Sequence, residues 1–275
     1  MYKKTIQWTM AAAMILLTGL AAMALTADEI LDQMEIEGDK LAEGSMVGTM
    51  RFDITYRDGT TGGNLFGMLS KPDYALLYFM EPADVRNTIF LTHEAKDGEE
   101  ARLFLYLPLL GIPKELVSDE ERSGSFAGSS MSYDDLGGED DREDYVATLL
   151  REEDFVIGEE TRTAYVIESI AKEGIDTETP RSIIWVDTEA FLMLKAESYN
   201  DLGNLSDTIE VVALTEFEGM LTFSEMLSTD VLEELSTLIT VIDRHRPDDE
   251  IPDEVFDPEN LMGLNWEDWW ENWDI

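Results

Sequence analysis

The sequence predicts a mainly β, single-domain protein: a strongly curved antiparallel sheet with covering helices. From Met46 onward, apolar residues recur with a period of two, which is typical of a strand with one buried face. Short runs rich in β-branched and aromatic residues follow at regular spacing, joined by Gly, Asp and Pro turns. The 275 residues show no break in composition and no internal repeat. One domain is therefore expected over residues 25–261.

The individual elements follow from local periodicity. Ile30, Leu31, Met34 and Leu41 lie near helical spacing, which predicts an amphipathic helix over Ala27–Glu43, interrupted at Gly38. A first strand over residues 46–57 and the turn of residues 58–63 predict a hairpin with residues 65–70. Further strands are predicted at Ala75–Met80, Thr88–Glu94, Arg102–Leu107, Ala164–Lys172, Ser182–Val186, Leu192–Asn200, Thr208–Leu214, Met220–Ser228 and Leu238–Arg244.

The N-terminus predicts export. Lys3 and Lys4 precede an apolar run from Met10 to Ala24 that ends Ala-Met-Ala, the pattern of a cleaved signal peptide over residues 1–24. Cleavage is expected near Ala24-Leu25 or Ala27-Asp28. A retained membrane anchor is the alternative, but the run is shorter than the roughly 20 residues that span a bilayer. The chain has no Cys, so it has no disulfides even in an exported setting.

The charge balance is strongly acidic. Sixty acidic residues face nineteen basic ones, which gives a formal net charge of -41. Such a surface disfavours nucleic acid, whose binding depends on Lys and Arg contacts with phosphate. The 44% of apolar residues argue for a folded core instead of disorder. Since the acids are spread along the chain, they favour a surface that works in high salt, with a specific cationic partner as the alternative.

No catalytic or metal-binding pattern is recognisable, so neither enzyme chemistry nor a cofactor is expected. His93 and His245 are the only histidines. The acid-rich stretches Gly137–Asp144 and Pro247–Glu254 lack the spacing of an EF-hand and are interpreted as solvated turns. No phosphate-binding loop or nucleophile elbow is present, and no carboxylate pair stands out among sixty acids.

The most informative stretch is RSGSFAGSSMSYDDL, from Arg122 to Leu136. Its Ser, Gly and Asp residues favour turns, yet Phe126, Met131 and Tyr133 are apolar or aromatic where a solvent loop carries none. From the residues alone, a loop that tucks an aromatic anchor into a core is the plain interpretation. Its context adds four segments in a fixed order: EPADVRNTIFL (Glu81–Leu91), LFLYLP (Leu103–Pro108), WVDTEAFLMLKAESYN (Trp185–Asn200) and IPDEVFDPENL (Ile251–Leu261).

In that order and at those separations, these segments resemble the outer-membrane lipoprotein-sorting protein family, relatives of the periplasmic lipoprotein carrier LolA. The resemblance covers about Ala27 to Leu261. The family's loop usually reads close to RSGSFMGSDFSYEDL, so the chain departs from it at Ala127, Ser130, Met131 and Asp134. The resemblance implies a half-open barrel whose inner face, lidded by helices, accepts acyl chains.

Two strands carry the functional interpretation. Residues 75–80 and 102–107 are apolar on both faces, so each face must be covered. Packed helices are one explanation, and an apolar cavity for lipid tails, which the resemblance favours, is the other. By alternation, the predicted cavity lining is Leu69, Leu77, Phe79, Phe90, Phe104 and Tyr106. Arg86 and Arg122 are predicted polar latches between sheet and covering loops, alongside the loop residues Phe126 and Tyr133.

The C-terminal segment, residues 262–275, predicts an acidic, Trp-rich tail helix. Its four Trp residues lie at i, i+3, i+4 and i+7 and form one stripe. Docking onto the body of the protein is the plain interpretation. Binding in a partner's groove, plugging the lipid cavity and lying on a membrane surface are the alternatives. The stripe consists of Trp266, Trp269, Trp270 and Trp273.

Together with the resemblance, these observations predict a monomeric, non-enzymatic periplasmic carrier of lipid or of lipoprotein acyl chains towards the outer membrane. Family members often work beside an inner-membrane exporter, so such a partner and transient membrane contact are expected, whereas nucleic acid is not. A sensor or regulator on the same fold and a ligand-free acidic structural envelope protein are the alternatives.

The acidic composition makes the first testable prediction. If the acids repel one another, the unfolding midpoint should rise steeply between 10 mM and 1 M KCl, because the screening length falls from about 30 Å to about 3 Å. Thermal unfolding followed by circular dichroism at several KCl concentrations measures this. A midpoint that stays flat over the series would contradict the interpretation of a salt-adapted surface.

Overall fold

The computed structural model describes residues 25–95, 100–137 and 142–264, which build one antiparallel sheet of thirteen strands. The strand order is β6-β5-β4-β3-β2-β1-β13-β12-β11-β10-β9-β8-β7. Neighbouring strands are therefore consecutive in the sequence, except for β1 and β13, which pair although they lie at opposite ends of the chain. The strands are β1 Met46–Thr55, β2 Thr61–Lys71, β3 Tyr74–Glu81, β4 Ile89–His93, β5 Arg102–Tyr106, β6 Pro113–Leu116, β7 Tyr145–Ile157, β8 Glu160–Ala171, β9 Arg181–Asp187, β10 Met193–Tyr199, β11 Leu205–Phe217, β12 Met220–Asp230 and β13 Leu235–His245.

The sheet is curved and unclosed. Strand β7 approaches β11, although β8, β9 and β10 separate the two in the strand order. Strands β6 and β7 form its two edges within the described residues. The predicted fold class, a strongly curved antiparallel sheet with few helices, is thereby confirmed.

The helices are few and short. Helix α1 covers Ala27–Ala42, and the single turn α2 covers Asp119–Arg122. Short 3-10 segments lie at Phe126–Gly128, Asp134–Leu136, Arg142–Asp144, Asp253–Phe256 and Pro258–Gly263. No helix in the described part of the chain is long and apolar enough to cross a membrane. The predicted signal peptide and most of the predicted Trp-rich tail lie outside the described residues.

The predicted interruption of the first helix at Gly38 is wrong, because α1 runs through that residue. A solvent-exposed Gly costs a helix only about 1 kcal/mol relative to Ala. Thr26 caps the start of α1, where its hydroxyl accepts from the Glu29 backbone N–H and its own N–H donates to the Glu29 carboxylate at 2.8 Å. Glu37 also accepts from Gln33 and Lys40 along the same side of the helix.

Three covers bury parts of the two faces of the sheet. The face that carries Phe52 and Phe66 is called the first face, and the face that carries Val47 and Leu69 is called the second face. The loop of residues 122–136 covers the first face over β1–β6, and helix α1 covers strands β7–β9. The C-terminal segment of residues 251–264 covers the second face over β1–β5.

The loop cover is anchored by Phe126, which is fully buried. Its ring lies 5.3–6.0 Å, centroid to centroid, from five other aromatic rings, at the tilted and edge-on angles that aromatic pairs prefer. Four of these rings belong to strands β1–β4 and the fifth to the loop itself. The partners are Phe52, Phe66, Phe79, Phe90 and Tyr133.

Removing this ring tests whether the loop is a structural cover. Phe126→Ala should lower the free energy of unfolding by about 3–5 kcal/mol, because it leaves a cavity among the five aromatic rings that surround Phe126. Urea unfolding measures the loss. The exposed Val231→Ala should stay within about 0.5 kcal/mol of wild type. A loss below about 1 kcal/mol for Phe126→Ala would show that the loop is only loosely held.

Candidate functional site

The loop cover is also held by polar contacts at its two ends and its centre. Arg122, whose side chain is 14% exposed, donates to the Asp134 carboxylate at 2.8 Å and to the Ala101 carbonyl at 2.9 Å. The Ser130 hydroxyl donates to the Ser228 hydroxyl at 2.9 Å. These contacts fix the loop to Ala101, the residue before β5, on one side and to the centre of the sheet on the other.

Two further features show how closely the loop lies on the sheet. Burial raises the pKa of the Tyr133 hydroxyl, because the phenolate would be poorly solvated there. At Gly137 a side-chain Cβ would lie 2.5 Å from the Thr92 hydroxyl oxygen, so only glycine allows this approach. The loop is thus a fitted cover of the first face, without room for a ligand beneath Phe126.

The six predicted lining residues divide between the two faces. Leu77, Phe79 and Phe90 lie on the first face under the loop cover. The other three lie on the second face under the C-terminal segment: Leu69, Phe104 and Tyr106. The six residues therefore do not line one cavity. Successive residues of a strand point to opposite faces, so an offset of one residue in the assignment places a side chain on the wrong face.

The two predicted latches also differ. Arg122 joins the loop cover to the residue before β5, as described above. Arg86 is exposed and donates to the Met80 carbonyl at 3.0 Å, a contact within the β3–β4 connection. Arg86 therefore does not link the sheet to a covering loop.

One row of directly paired residues shows that the loop cover and α1 lie on the same face of the sheet. Paired residues on antiparallel neighbours point to the same face. The row begins beneath the loop cover and ends beneath α1, where its last two members pack against the helix. It runs Ile54, Thr237, Ser228, Ile209, Ala196, Ile184 and Ile167.

Between the covers lies a half-buried apolar strip on strands β9–β12. Met226 packs at the edge of the loop cluster and Ile184 at the edge of the α1 cluster. Ala196 and Ile209 lie between them, half-buried and outside both clusters. We name these four residues the central strip. It is apolar surface of the first face that neither the loop cover nor α1 covers completely.

The second face of the same strands is mixed, because charged residues lie there beside the buried Trp185 and the partly buried Ile183 of a separate hydrophobic cluster. Lys195 and Glu210 are directly paired there, as are Glu197 and Thr208. Lys195 also forms an ion pair with Glu197 at 2.7 Å. Because the central strip lies between two covers of the first face and belongs to neither cluster core, it is the candidate ligand site.

A polar row borders the central strip. Two residues along each strand from the row that contains Ile184, Ala196 and Ile209, and on the same face, lies a second row of directly paired residues. It consists of Ser182, Ser198, Asp207 and Asp230. Burial is the main cause that raises the pKa of the Asp207 carboxyl, and the negative charges of Asp230, Asp135 and Glu178 add to it. The site thus combines an apolar floor with a polar edge, the combination that an amphiphile needs.

Among residues 25–95, 100–137 and 142–264, no group of three His, Asp or Glu side chains is arranged to hold a metal ion. A cavity of about 180 Å³ on the second face is lined by Tyr106, Pro108, Leu261 and other residues of that face. It is too small for a whole acyl chain, which leaves the open strip as the better candidate.

Sequence reasoning missed the central strip because its members are scattered over four strands and three of them are ordinary aliphatic positions. The signal that identifies them is the pairing register, not the sequence pattern. Bulges after Val211 in β11 and near Leu194 in β10 shift the alternation, so counting by twos along the chain misplaces the faces.

The family follows from comparison with known proteins. A family model for an uncharacterized protein matches residues 71–263, more than half of the chain. The chain belongs to the DUF1329 family. No curated protein matches the sequence.

Solved structures share the fold of this DUF1329 member. A DUF1329 family protein from Desulfovibrio piger is 23% identical with a TM-score of 0.74, covering 86% of this chain and 98% of its own. An outer membrane lipoprotein-sorting protein domain from Vibrio parahaemolyticus is 23% identical with a TM-score of 0.72, over 85% and 97%. A LolA superfamily protein from Nitrosomonas europaea is 20% identical with a TM-score of 0.62, over 85% and 98%. The predicted resemblance is thereby confirmed.

The electrostatics of the polar edge are testable. A carboxyl with a raised folded-state pKa destabilises the fold when it is ionised, and this cost disappears below the unfolded-state pKa of about 4. Asp207→Asn should therefore raise the free energy of unfolding at pH 7, and the gain over wild type should shrink as the pH falls towards 4. Urea unfolding at several pH values measures it. The exposed turn variant Asp201→Asn serves as control, and a pH-independent gain at Asp207 would contradict the argument.

Proposed function

We propose that the protein is a non-enzymatic periplasmic carrier that shelters the acyl chains of a lipid or lipoprotein on the central strip. The observation that supports this is a half-buried apolar strip between two covers of the same face. An ordinary sheet protein would either cover such a strip fully or make it polar. The fold, shared with LolA superfamily and lipoprotein-sorting proteins, agrees with the proposal.

The energetics suit a carrier. Each methylene removed from water contributes about 0.8 kcal/mol, so a chain that is sheltered over part of its length already binds measurably. Because the strip is open along one side, the ligand keeps part of its surface exposed and its affinity stays limited. Release then requires only a more apolar site at the receiving membrane. The polar edge at Asp207 and Ser198 would accommodate the hydrated end of the same molecule.

The proposed location rests on the signal-peptide pattern of residues 1–24. Of the two cleavage positions, Ala24-Leu25 keeps Thr26 and its capping contacts with Glu29, whereas Ala27-Asp28 removes them. Loss of such a cap costs about 1 kcal/mol. We therefore favour the first position, which leaves α1 intact as the cover beside the strip.

A pair of neighbouring variants tests the proposal. Ile209 lies on the central strip, and Thr208 lies beside it on the second face, so Ile209→Glu and Thr208→Glu add the same charge on opposite faces. In titrations with a fluorescent fatty acid, Ile209→Glu should weaken binding about tenfold or more, because it places a carboxylate against the acyl chain. Thr208→Glu should leave binding within about twofold of wild type.

Unfolding midpoints of both variants provide the control for folding, and Ile209→Ser provides a milder change at the same position. Equal weakening by Glu at both positions would show a general charge effect and reject the strip as the site. Failure of the wild-type protein to bind the probe saturably would reject the carrier function itself.

A further inference from the structure

A second apolar feature lies away from the central strip, at the tip of the β5–β6 hairpin. The tip comprises residues 107–112, with the sequence Leu-Pro-Leu-Leu-Gly-Ile. Leu109 is 100% exposed, Leu110 59% and Ile112 66%. Scattered exposed aliphatic residues are ordinary, but several in one short uncharged segment mark an interaction site.

The tip is held in shape and does not fold back on itself. The backbone N–H groups of Leu110 and Gly111 both donate to the Leu107 carbonyl, at 2.9 and 3.2 Å. Gly111 has a φ of +68°, which this tight turn requires. The paired residues Tyr106 and Pro113 close the hairpin at its base. The turn therefore presents its apolar side chains outward as a fixed group.

The charges around the tip determine which kind of partner it can bind. The nearest cations are already paired: Arg102 with Glu115 at 2.7 Å, and Lys114 with Glu121. Asp119 and Glu120 follow in the adjoining turn α2 and add negative charge behind the tip. No basic group of this hairpin is thus left to attract anionic lipid, and the apolar side chains alone must supply any attraction.

We propose that the β5–β6 tip is a membrane-docking element that inserts its leucines into the apolar edge of a lipid bilayer. A small convex tip suits a bilayer, because a few apolar side chains can insert anywhere on its surface without a complementary binding pocket. A second copy of the chain fits less well, since stable protein interfaces bury about 800 Å² per partner and two chains of charge -41 repel each other. The proposal concerns membrane contact and stands whether or not the central strip carries acyl chains.

The chain has no Cys, so a single introduced thiol can be labelled cleanly. In the full chain, Leu109→Cys carries an environment-sensitive fluorophore at the tip. Leu202→Cys is the matched control, because Leu202 is 83% exposed in another hairpin turn. Because such a fluorophore reports its own surroundings, insertion of any other segment, including residues 10–24, does not shift it.

With phosphatidylcholine vesicles, the label at position 109 should shift to shorter wavelength and brighten, while the label at 202 should not. Adding Leu110→Asp and Ile112→Asp to the 109-labelled chain should abolish the shift. With vesicles that also contain phosphatidylglycerol, the shift should be weaker at low salt and recover as KCl is added, because screening removes the repulsion.

Three results would overturn the proposal. One is no shift at position 109 with either vesicle, which would assign the tip to a protein partner. Another is an equal shift at position 202, which would show general adhesion of the chain. The third is a shift at 109 that grows with protein concentration in the absence of vesicles, which would assign the tip to a second copy of the chain.

Discussion

A single open sheet has two faces, and strands β3 and β5 are apolar on both. Exposed apolar area on this scale would be costly, so the chain must supply a cover for each side of its first strands. The loop of residues 122–136 and the C-terminal segment of residues 251–264 provide them. The rest of the architecture follows from this requirement, since both covers must be long enough to reach across several strands.

The covers are unequal in how they are attached, and that inequality defines the site. The loop cover is fixed by Phe126 within a ring of aromatic side chains and by Arg122 at its edge. Helix α1 fully buries only Ala27, Ile30 and Leu31, with Met34 partly buried beside them, and most of its other residues are exposed. Arg142 also pairs with Asp32 of the helix at 2.6 Å. The central strip lies between a firmly packed cover and a lightly packed one.

Much of the fold is predictable from the sequence. The alternation from Met46 locates β1, and the two-sided apolar character of β3 and β5 predicts a cover on each face. The loop that contains Phe126 stands out because aromatic residues are rare in Ser- and Gly-rich turns. Each of these features is determined by a short stretch of sequence, so the pattern within that stretch is enough to predict it.

Other features depend on the register between strands and are not visible locally. Strand β7 was not predicted, because a bulge near Leu150 shifts its alternation and an acidic run follows. The short β6 was missed because its four residues, which begin with Pro113, carry little periodicity. The faces of Leu69 and Leu77 were not separated because a face is defined by pairing with neighbouring strands: Leu69 pairs with Leu76, so Leu77 points the opposite way. The central strip was missed because it too depends on pairing, and bulges in β10 and β11 change the face partway along those strands.

The central claim is that acyl chains lie on the first face between the two covers. The most direct measurement is cross-linking of a photoreactive fatty acid to the full chain, followed by peptide mapping of the adducts. The account predicts adducts on strands β9–β12, at Ile184, Ala196, Ile209 or Met226, with competition by unlabelled fatty acid. Adducts confined to the second face, or adducts that unlabelled fatty acid does not reduce, would contradict it.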